Sequence, residues 1–466
     1  MTRTDAAADE RTTNQQPFFD RPLASLHMLL VASGLLCVIG VVMVLSASSV
    51  DAYRTTGSAF GIFTKQLLWL AIGIPTFWIA VRISPRAYRR LAYPALLLAF
   101  VGLMAVLVPG VGILWHGARR WIDLGPLQVQ PSEPAKLALA LWGADLLVRK
   151  QNRLSQWRHL VVPLLPVALA MCALVMFEPD LGTTLCIALV IFGLLWTAGA
   201  PFRLFGSLAV GAMGIVVLLI VHEPYRLRRV VSFVHPFQDR SGNGFQAAQG
   251  LSALSTGGWF GDGLGQSRFK WGLLPNAHTD YIFAIIGEEL GLVGCLVVLG
   301  LFLVLAYAGL RIARNATEPF VCLVTGAVTA WILGQALINV GYVVGLLPVT
   351  GIPLPLISFG GTSLVLTLFT LGMLASFARH EPAAAAALAN RGKVARALRL
   401  PAPRAGRAGP ERVVGRAARR ARATAARAAS TKATEHRERR SGNVGRRPRV
   451  PDEALRSTGT EGIAGR

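Results

Sequence analysis

Charge is what this chain has least of. Of its 466 residues only 15% are Asp, Glu, Lys or Arg, against 53% hydrophobic, and the mean hydropathy is +0.50. Runs such as "LLVASGLLCVIGVVMVLSA" and "LGTTLCIALVIFGLLWTAGA" carry no charge at all. That scarcity excludes an ordinary soluble core and points to membrane-crossing helices. Cysteine is also sparse. Cys37, Cys172, Cys186, Cys295 and Cys322 all sit in apolar segments and none forms a CxxC pair. They read as packing residues, which excludes a disulfide framework and a zinc site. No GxxxxGK[ST] loop is present, so there is no P-loop nucleotide site; Ser-His-Asp and His-rich metal patterns are missing too. No internal repeat stands out.

The charge that exists is clustered. The formal net charge is +23, and from Arg379 onward there are 22 Lys/Arg against 7 Asp/Glu. That tail is rich in Ala, Arg, Pro and Gly and too poor in apolar residues to fold, so residues 379–466 are expected to be a disordered basic cytoplasmic tail. Its first expected contact is anionic membrane lipid, its second a partner protein; nucleic acid is not expected as a partner. Residues 1–25 form a polar N-terminal segment, and the apolar run after it lacks a small-residue cleavage site, so it is expected to be retained as a helix.

The apolar runs predict an all-α integral membrane protein with about ten transmembrane helices across 26–378. Their expected spans are 26–48, 63–82, 90–109, 133–149, 159–177, 181–199, 202–222, 281–312, 319–345 and 355–378. The connections holding Arg86, Arg89 and Arg90, then Arg149, Lys150, Arg153 and Arg158, then Arg203, then Arg311 and Arg314 are basic; 178–180 and 346–354 have no Lys or Arg. The positive-inside rule therefore puts both termini in the cytoplasm and the large loop between helices 7 and 8, residues 223–280, outside.

Five polar stretches then fall on the outer side: "HGARRWIDLG" (116–125), "QPSEPAK" (130–136), "FEPDLGTT" (177–184), "AHTD" (277–280) and "LLPVTGIPLPLISFGGTS" (346–363). Convergence of distant segments at one membrane face is how a site between helices is built. Asp280 suits an N-cap, and equally a base at a lipid–water boundary, with His278 and Thr279 as hydrogen-bond partners. Glu288 and Glu289 lie about 12 Å further along if the helix is regular. They must be paired, protonated or facing a wet cavity, so they read as structural ion-pair members or cavity lining, Glu288 nearer the Asp280 face. Glu133 and Lys136 share a helix face at i,i+3 behind Ser132 as N-cap; they suit an intrahelical ion pair, or a cation awaiting pyrophosphate. Arg119, Arg120 and Trp121 suit an interfacial anchor, or phosphate and sugar contacts. Glu178 and Asp180 read first as a turn and second as an acidic cluster. Ser363, beside Gly360 and Gly361, lies where small residues allow close approach of backbone or packing of helices.

Together, "GARRWIDLG", "QPSEPAKL", "EPDLGTT", "LPNAHTDYIFAIIGEELGLVG" and "PVTGIPLPLISFGGTS", with the stretch from "YRLRRVVSF" to "GDGLGQS", resemble the SEDS family, the FtsW/RodA/SpoVE proteins of bacterial wall synthesis. The resemblance covers roughly residues 25–380. The stretch "GLGQSRFKWGLLPNAHTDYIFAIIGEELGL" looks most like the division branch; the basic tail is a departure. The resemblance implies a ten-helix glycosyltransferase of the inner membrane at the division septum. It would polymerise lipid II into glycan strands on the outer face, beside a class B penicillin-binding protein and other divisome proteins. The family's catalytic Asp falls on Asp280, its sensitive basic residues on Arg120 and Lys136, and its acid beside that Lys on Glu133. Asp280 is then the expected general base and Lys136 and Arg120 the pyrophosphate counter-charges, with a divalent cation, Mg²⁺ or Mn²⁺, as an added candidate. The competing readings are a lipid II flippase, an elongation-type RodA-like polymerase and a division scaffold.

Overall fold

In a computed structural model, which describes residues 21–115, 118–123, 125, 128–151, 161–222, 233, 237 and 243–390, each expected membrane segment coincides with a helix. These are α1 (Ala24–Thr56), α2 (Gly61–Arg82), α3 (Pro85–Leu107), α4 (Ser132–Arg149), α5 (Leu164–Phe177), α6 (Leu181–Thr197), α7 (Phe202–His222), α9 (Ile282–Asn315), α10 (Pro319–Val343) and α11 (Gly361–Arg379). Two further helices, α8 (Asn243–Thr256) and α12 (Pro382–Asn390), lie outside those segments. Among the described residues six helices, α1, α2, α3, α9, α10 and α11, are long and apolar enough to cross a membrane; α5, α6 and the Phe202–Gly211 part of α7 are shorter apolar stretches. The chain is a multi-pass membrane protein.

Helices that are apolar all round belong in the centre of a bundle, and α4, α10 and α11 are buried along most of their length. Helices α2, α3 and α9 instead leave apolar side chains such as Leu68, Leu97 and Leu296 uncovered, the surface that acyl chains would meet. The basic helix ends gather together. Arg311 Nε reaches Ser25 Oγ at 3.0 Å, joining the start of α1 to the end of α9. Asp145, fully buried, takes Arg89 Nε at 2.5 Å and Arg149 Nε at 2.6 Å.

Four expectations need correction. The fold is not purely helical: β1 (Gly112–Trp115), β2 (Ala118–Asp123) and β3 (Gln128–Val129) form an antiparallel sheet in the order β1-β2-β3. Pairing Ile113 with Trp121 and Ile122 with Val129 gives this otherwise polar connection its own backbone partners. The last span begins at Gly361 rather than 355, because Pro353, Pro355 and the left-handed Leu356 (φ 66°) fold the preceding chain into a turn, in which the Ile357 and Ser358 amides both donate to the Leu354 carbonyl. The basic tail starts later than expected: Pro382–Asn390 is helical, as its run of five alanines favours. Finally, α9 is not regular, since Gly291 (φ 68°, ψ −166°) interrupts it. The expected tail beyond 390, the N-terminal segment before 21 and residues 223–232 of the large loop lie outside the described residues.

Candidate active site

The loop entering α9 is a tight turn. Asn276 sits in the left-handed region (φ 55°), and its carbonyl accepts the amides of Thr279 (3.1 Å) and Tyr281 (3.3 Å) and the Thr279 hydroxyl (3.2 Å). Thr279 is therefore occupied locally and does not partner Asp280. His278 is anchored by its carbonyl, which accepts Phe359 N–H at 3.0 Å, and its ring meets the Phe359 ring edge-on at 5.8 Å. Burial holds the His278 imidazole below its usual range, against the opposing pull of Asp51, so it is neutral at neutral pH.

Asp280 does not cap the helix. The residue at the N-cap is Tyr281, with no side-chain cap, which leaves the half-buried Asp280 carboxylate free of that duty. What is held is its backbone. Asn339 Nδ2 donates to the carbonyls of Asp280 (2.9 Å) and Ile352 (2.7 Å), and the Tyr342 hydroxyl lies 2.9 and 2.8 Å from the same two oxygens. Two side chains of α10 thus clamp the Asp280 loop to the 346–363 segment. Gly351 (φ 71°) completes the approach: a Cβ there would stand 3.6 Å from Asp280 Oδ2. Asn339 and Tyr342 were not singled out in the sequence. The signal was present, because Gln335, Asn339 and Tyr342 recur at i, i+4, i+7 and put a polar stripe on one face of an apolar helix.

The acidic turn packs on the same loop. A Cβ on Gly182 would meet Ile352 at 2.8 Å and the Thr350 carbonyl at 3.1 Å. Asp180 caps α6, accepting Thr183 N–H at 3.0 Å and its hydroxyl at 2.7 Å, and takes Gln130 Nε2 at 3.2 Å. Arg120 projects from β2 to the turn, donating from Nε to the Glu178 carbonyl at 3.1 Å and from the guanidinium to the Pro179 carbonyl. Glu178 is completely buried, and neither of its carboxylate oxygens has a hydrogen-bond partner among the described residues. The five polar stretches are therefore joined by contact, β2 to 178–179, 130 to 180, 182 to 350, 351 to 280 and 278 to 359.

The electrostatics follow from this packing. Burial pushes the Asp280 carboxyl up to about 6; the Arg120 guanidinium opposes the rise and the Asp180 carboxylate adds to it. Glu178 is pushed up to about 8, again chiefly by burial, with Asp180 adding and Arg120 opposing. A carboxylate raised to the edge of neutrality is suited to taking a proton at working pH.

Other expected site residues are placed differently. Lys136 is 1% exposed, ion-paired to Glu133 Oε1 at 2.8 Å and seated 4.8 Å from the centre of the Trp331 ring, so the intrahelical pair is what the structure contains. Ser132 is the first helical residue rather than the cap, which is Pro131, and its hydroxyl has no hydrogen-bond partner among the described residues. Arg119 pairs with Leu114 in the sheet, beside a register shift that leaves Arg120 as the extra residue of β2. Glu288 and Glu289 do not line a cavity next to Asp280. Glu288 accepts the Ser267 hydroxyl (2.5 Å) and Arg268 N–H (2.6 Å). Glu289 accepts the Ser46 hydroxyl (2.6 Å) and Ser267 N–H (3.3 Å) and pairs with Lys270 at 3.6 Å. Both brace the large loop against α1 and α9. Ser363 lies half-buried in the first turn of α11, its carbonyl taken by the Thr367 hydroxyl at 2.7 Å. No three His, Cys, Asp or Glu side chains among the described residues are grouped so as to hold a metal ion.

The family model for FtsW, RodA and SpoVE, described as "Cell cycle protein", matches residues 26–383. A protein of Mycobacterium tuberculosis named "Probable peptidoglycan glycosyltransferase FtsW" is 47% identical over 385 residues, 82% of this chain and 74% of the relative. Stage V sporulation protein E of Bacillus subtilis is 38% identical over 354 residues, 76% of this chain and 97% of the relative. Among solved structures, a chain from a study of polymerization and crosslinking by a peptidoglycan synthase complex is similar with TM-score 0.62 and 28% identity, covering 76% of this chain and 97% of that one. The rod shape determining protein RodA of Thermus thermophilus is similar with TM-score 0.57 and 27% identity, covering 76% and 96%.

Proposed function

The chain belongs to the FtsW/RodA/SpoVE family, and from that premise we propose that it is the peptidoglycan glycosyltransferase of septal division, polymerising lipid II at the outer face of the cytoplasmic membrane. The single observation that carries the reading is Asp280, a carboxylate fixed at the mouth of α9 by the grip of Asn339 and Tyr342 on its carbonyl and raised to about 6. In the proposed step an acceptor sugar 4-hydroxyl gives its proton to Asp280 while its oxygen attacks the anomeric carbon of the donor. The bond to the lipid pyrophosphate breaks on the opposite side, so the configuration inverts. The pyrophosphate leaves as an anion and needs positive charge nearby.

Arg120 supports that role. Its contacts to the Glu178 and Pro179 carbonyls leave its charge uncancelled by a bonded carboxylate. Lys136 serves at a distance: paired to Glu133 and covered by Trp331, it organises α4 against α10. Divalent cations enter this reading with the substrate, as Mg²⁺ does where phosphates supply most of its ligands. The partner is a class B penicillin-binding protein, whose cross-linking would follow polymerisation at the septum beside other divisome proteins. The test is glycan formation from purified lipid II by the full chain with that partner. Wild type yields polymer and Asp280→Asn yields none while remaining folded; polymer from Asp280→Asn at the wild-type rate would remove the base from the proposal.

A further inference from the structure

Two helices fix a depth scale in this molecule. Helices α1 and α9 touch at one end through Ser25 and Arg311 and at the other through Ser46 and Glu289. At 1.5 Å per residue, Ser25 to Ser46 and Glu289 to Arg311 each span about 30 Å. That is the thickness of the bilayer's hydrocarbon core, about 30 Å. With the basic end at the inner boundary, the Ser46–Glu289 contact marks the outer one. At this level α9 breaks at Gly291, and the large loop fills the break: Leu292 N–H donates to the Gly258 carbonyl (3.0 Å), Val293 N–H to Trp259 (3.2 Å), Asp262 N–H to Glu288 (2.9 Å) and Gly263 N–H to Glu289 (3.1 Å). The seat is close enough to require glycine on both sides, since a Cβ on Gly291 would lie 2.5 Å from the Trp259 carbonyl and one on Gly261 would lie 2.2 Å from that of Glu289.

From this rigid seat two large aromatic side chains project, Trp259 at 68% and Phe260 at 82% exposure. Nothing in the glycosyl-transfer chemistry uses them. They stand at the top of an uncovered apolar stripe of α9 that runs through Leu292, Val293, Leu296 and Val297. Aromatic side chains at a membrane boundary settle at headgroup depth. We propose that the Trp259–Phe260 turn is an interfacial foot. It rests in the headgroup–acyl boundary of the outer leaflet, its occupant is phospholipid, and through the Glu288/Glu289 brace it sets the height of Asp280 above the bilayer. Asp280 lies just before α9, whose rise from Ile282 to Glu288 is about 9 Å, the level a saccharide reaches when its pyrophosphate lies among the headgroups. The height-setting part rests on the polymerase reading; the lipid contact does not.

The test uses the full chain in phospholipid bilayers. The Trp259 contribution to emission is isolated as the difference between wild type and Trp259→Phe, then challenged with lipids brominated at shallow or deep acyl positions and with aqueous acrylamide. The foot requires quenching by the shallow bromolipid and protection from acrylamide. Strong acrylamide quenching without bromolipid quenching overturns it, as does protection from both that appears only when the penicillin-binding partner is added. In a second arm, the Trp259→Ser/Phe260→Ser double variant should raise the KM for lipid II several-fold in bilayers and leave it unchanged in detergent, with Trp259→Phe close to wild type. An equal rise in both media overturns the height-setting role, whereas no polymer from wild type in either medium is a failure of the polymerase reading alone and leaves the quenching result standing.

Discussion

Glu288 and Glu289 lie within α9, Asp280 in the loop before it and Glu178 in the turn before α6, and the two sets of acids are treated in opposite ways. Glu288 and Glu289 are fully buried, yet between them they accept two hydroxyls, two backbone amides and the Lys270 ammonium. The Asp180 carboxylate instead adds to the rise of both Asp280 and Glu178, with Arg120 opposing it, and Glu178 has no hydrogen-bond partner among the described residues. A buried acid with its lone pairs satisfied is a fastener. One left short of partners holds a raised affinity for protons, which is the property a base needs.

The sharpest way to break this comparison is to remove a carboxylate from each group. Asp280→Asn should lower polymerisation by about 10²–10⁴-fold, the range for losing a general base, which leaves no detectable polymer, with thermal unfolding at neutral pH unchanged or later. Glu289→Ala leaves Lys270 buried without its partner and should destabilise the protein by about 3 kcal/mol, read as an earlier melting transition in detergent. If Asp280→Asn melts early and Glu289→Ala merely slows polymerisation, the assignment of the two groups is reversed.

The next effect concerns pH. Because burial raises Asp280 to about 6, kcat/KM should fall as pH drops through that value, each unit below costing about tenfold. Arg120 is the group pulling Asp280 down, so Arg120→Ala should move the inflection to higher pH as well as slow the reaction. The smallest effect is on stability. A folded-state value near 8 for Glu178 exceeds its unfolded value. Its contribution is therefore complete below the unfolded pKa and is lost as pH rises through 8. Glu178→Gln should match wild type in acid and exceed it in mild alkali, measured by unfolding at the two pH values.

Much of this was legible in the sequence because apolar runs translate directly into helices, and because acids and glycines stand out against them. The spans, the convergence of five polar stretches and the prominence of Asp280 follow from that contrast. What escaped depends on contacts between distant residues. Glu288 and Glu289 read as structural ion-pair members or as cavity lining, and the choice stayed open because Ser46, Ser267 and Lys270 are remote along the chain. Lys136 read either as the ion-pair partner of Glu133 or as an available cation, and the choice stayed open because nothing local announces that Trp331 covers it. The sheet was hidden because β1 has four residues and β2 carries two adjacent arginines, too short and too mixed for a clear alternation. Asn339 and Tyr342 were hidden for the converse reason: their stripe lies inside a helix whose apolar character dominated its reading.

The most direct measurement is the pH dependence of glycan polymerisation from lipid II by the full chain, run beside Asp280→Asn under the same conditions. The account predicts a wild-type profile that rises through about pH 6 and an Asn variant that makes no polymer at any pH while keeping its melting transition. A flat wild-type profile across that range, or polymer from the Asn variant at the wild-type rate, would contradict it.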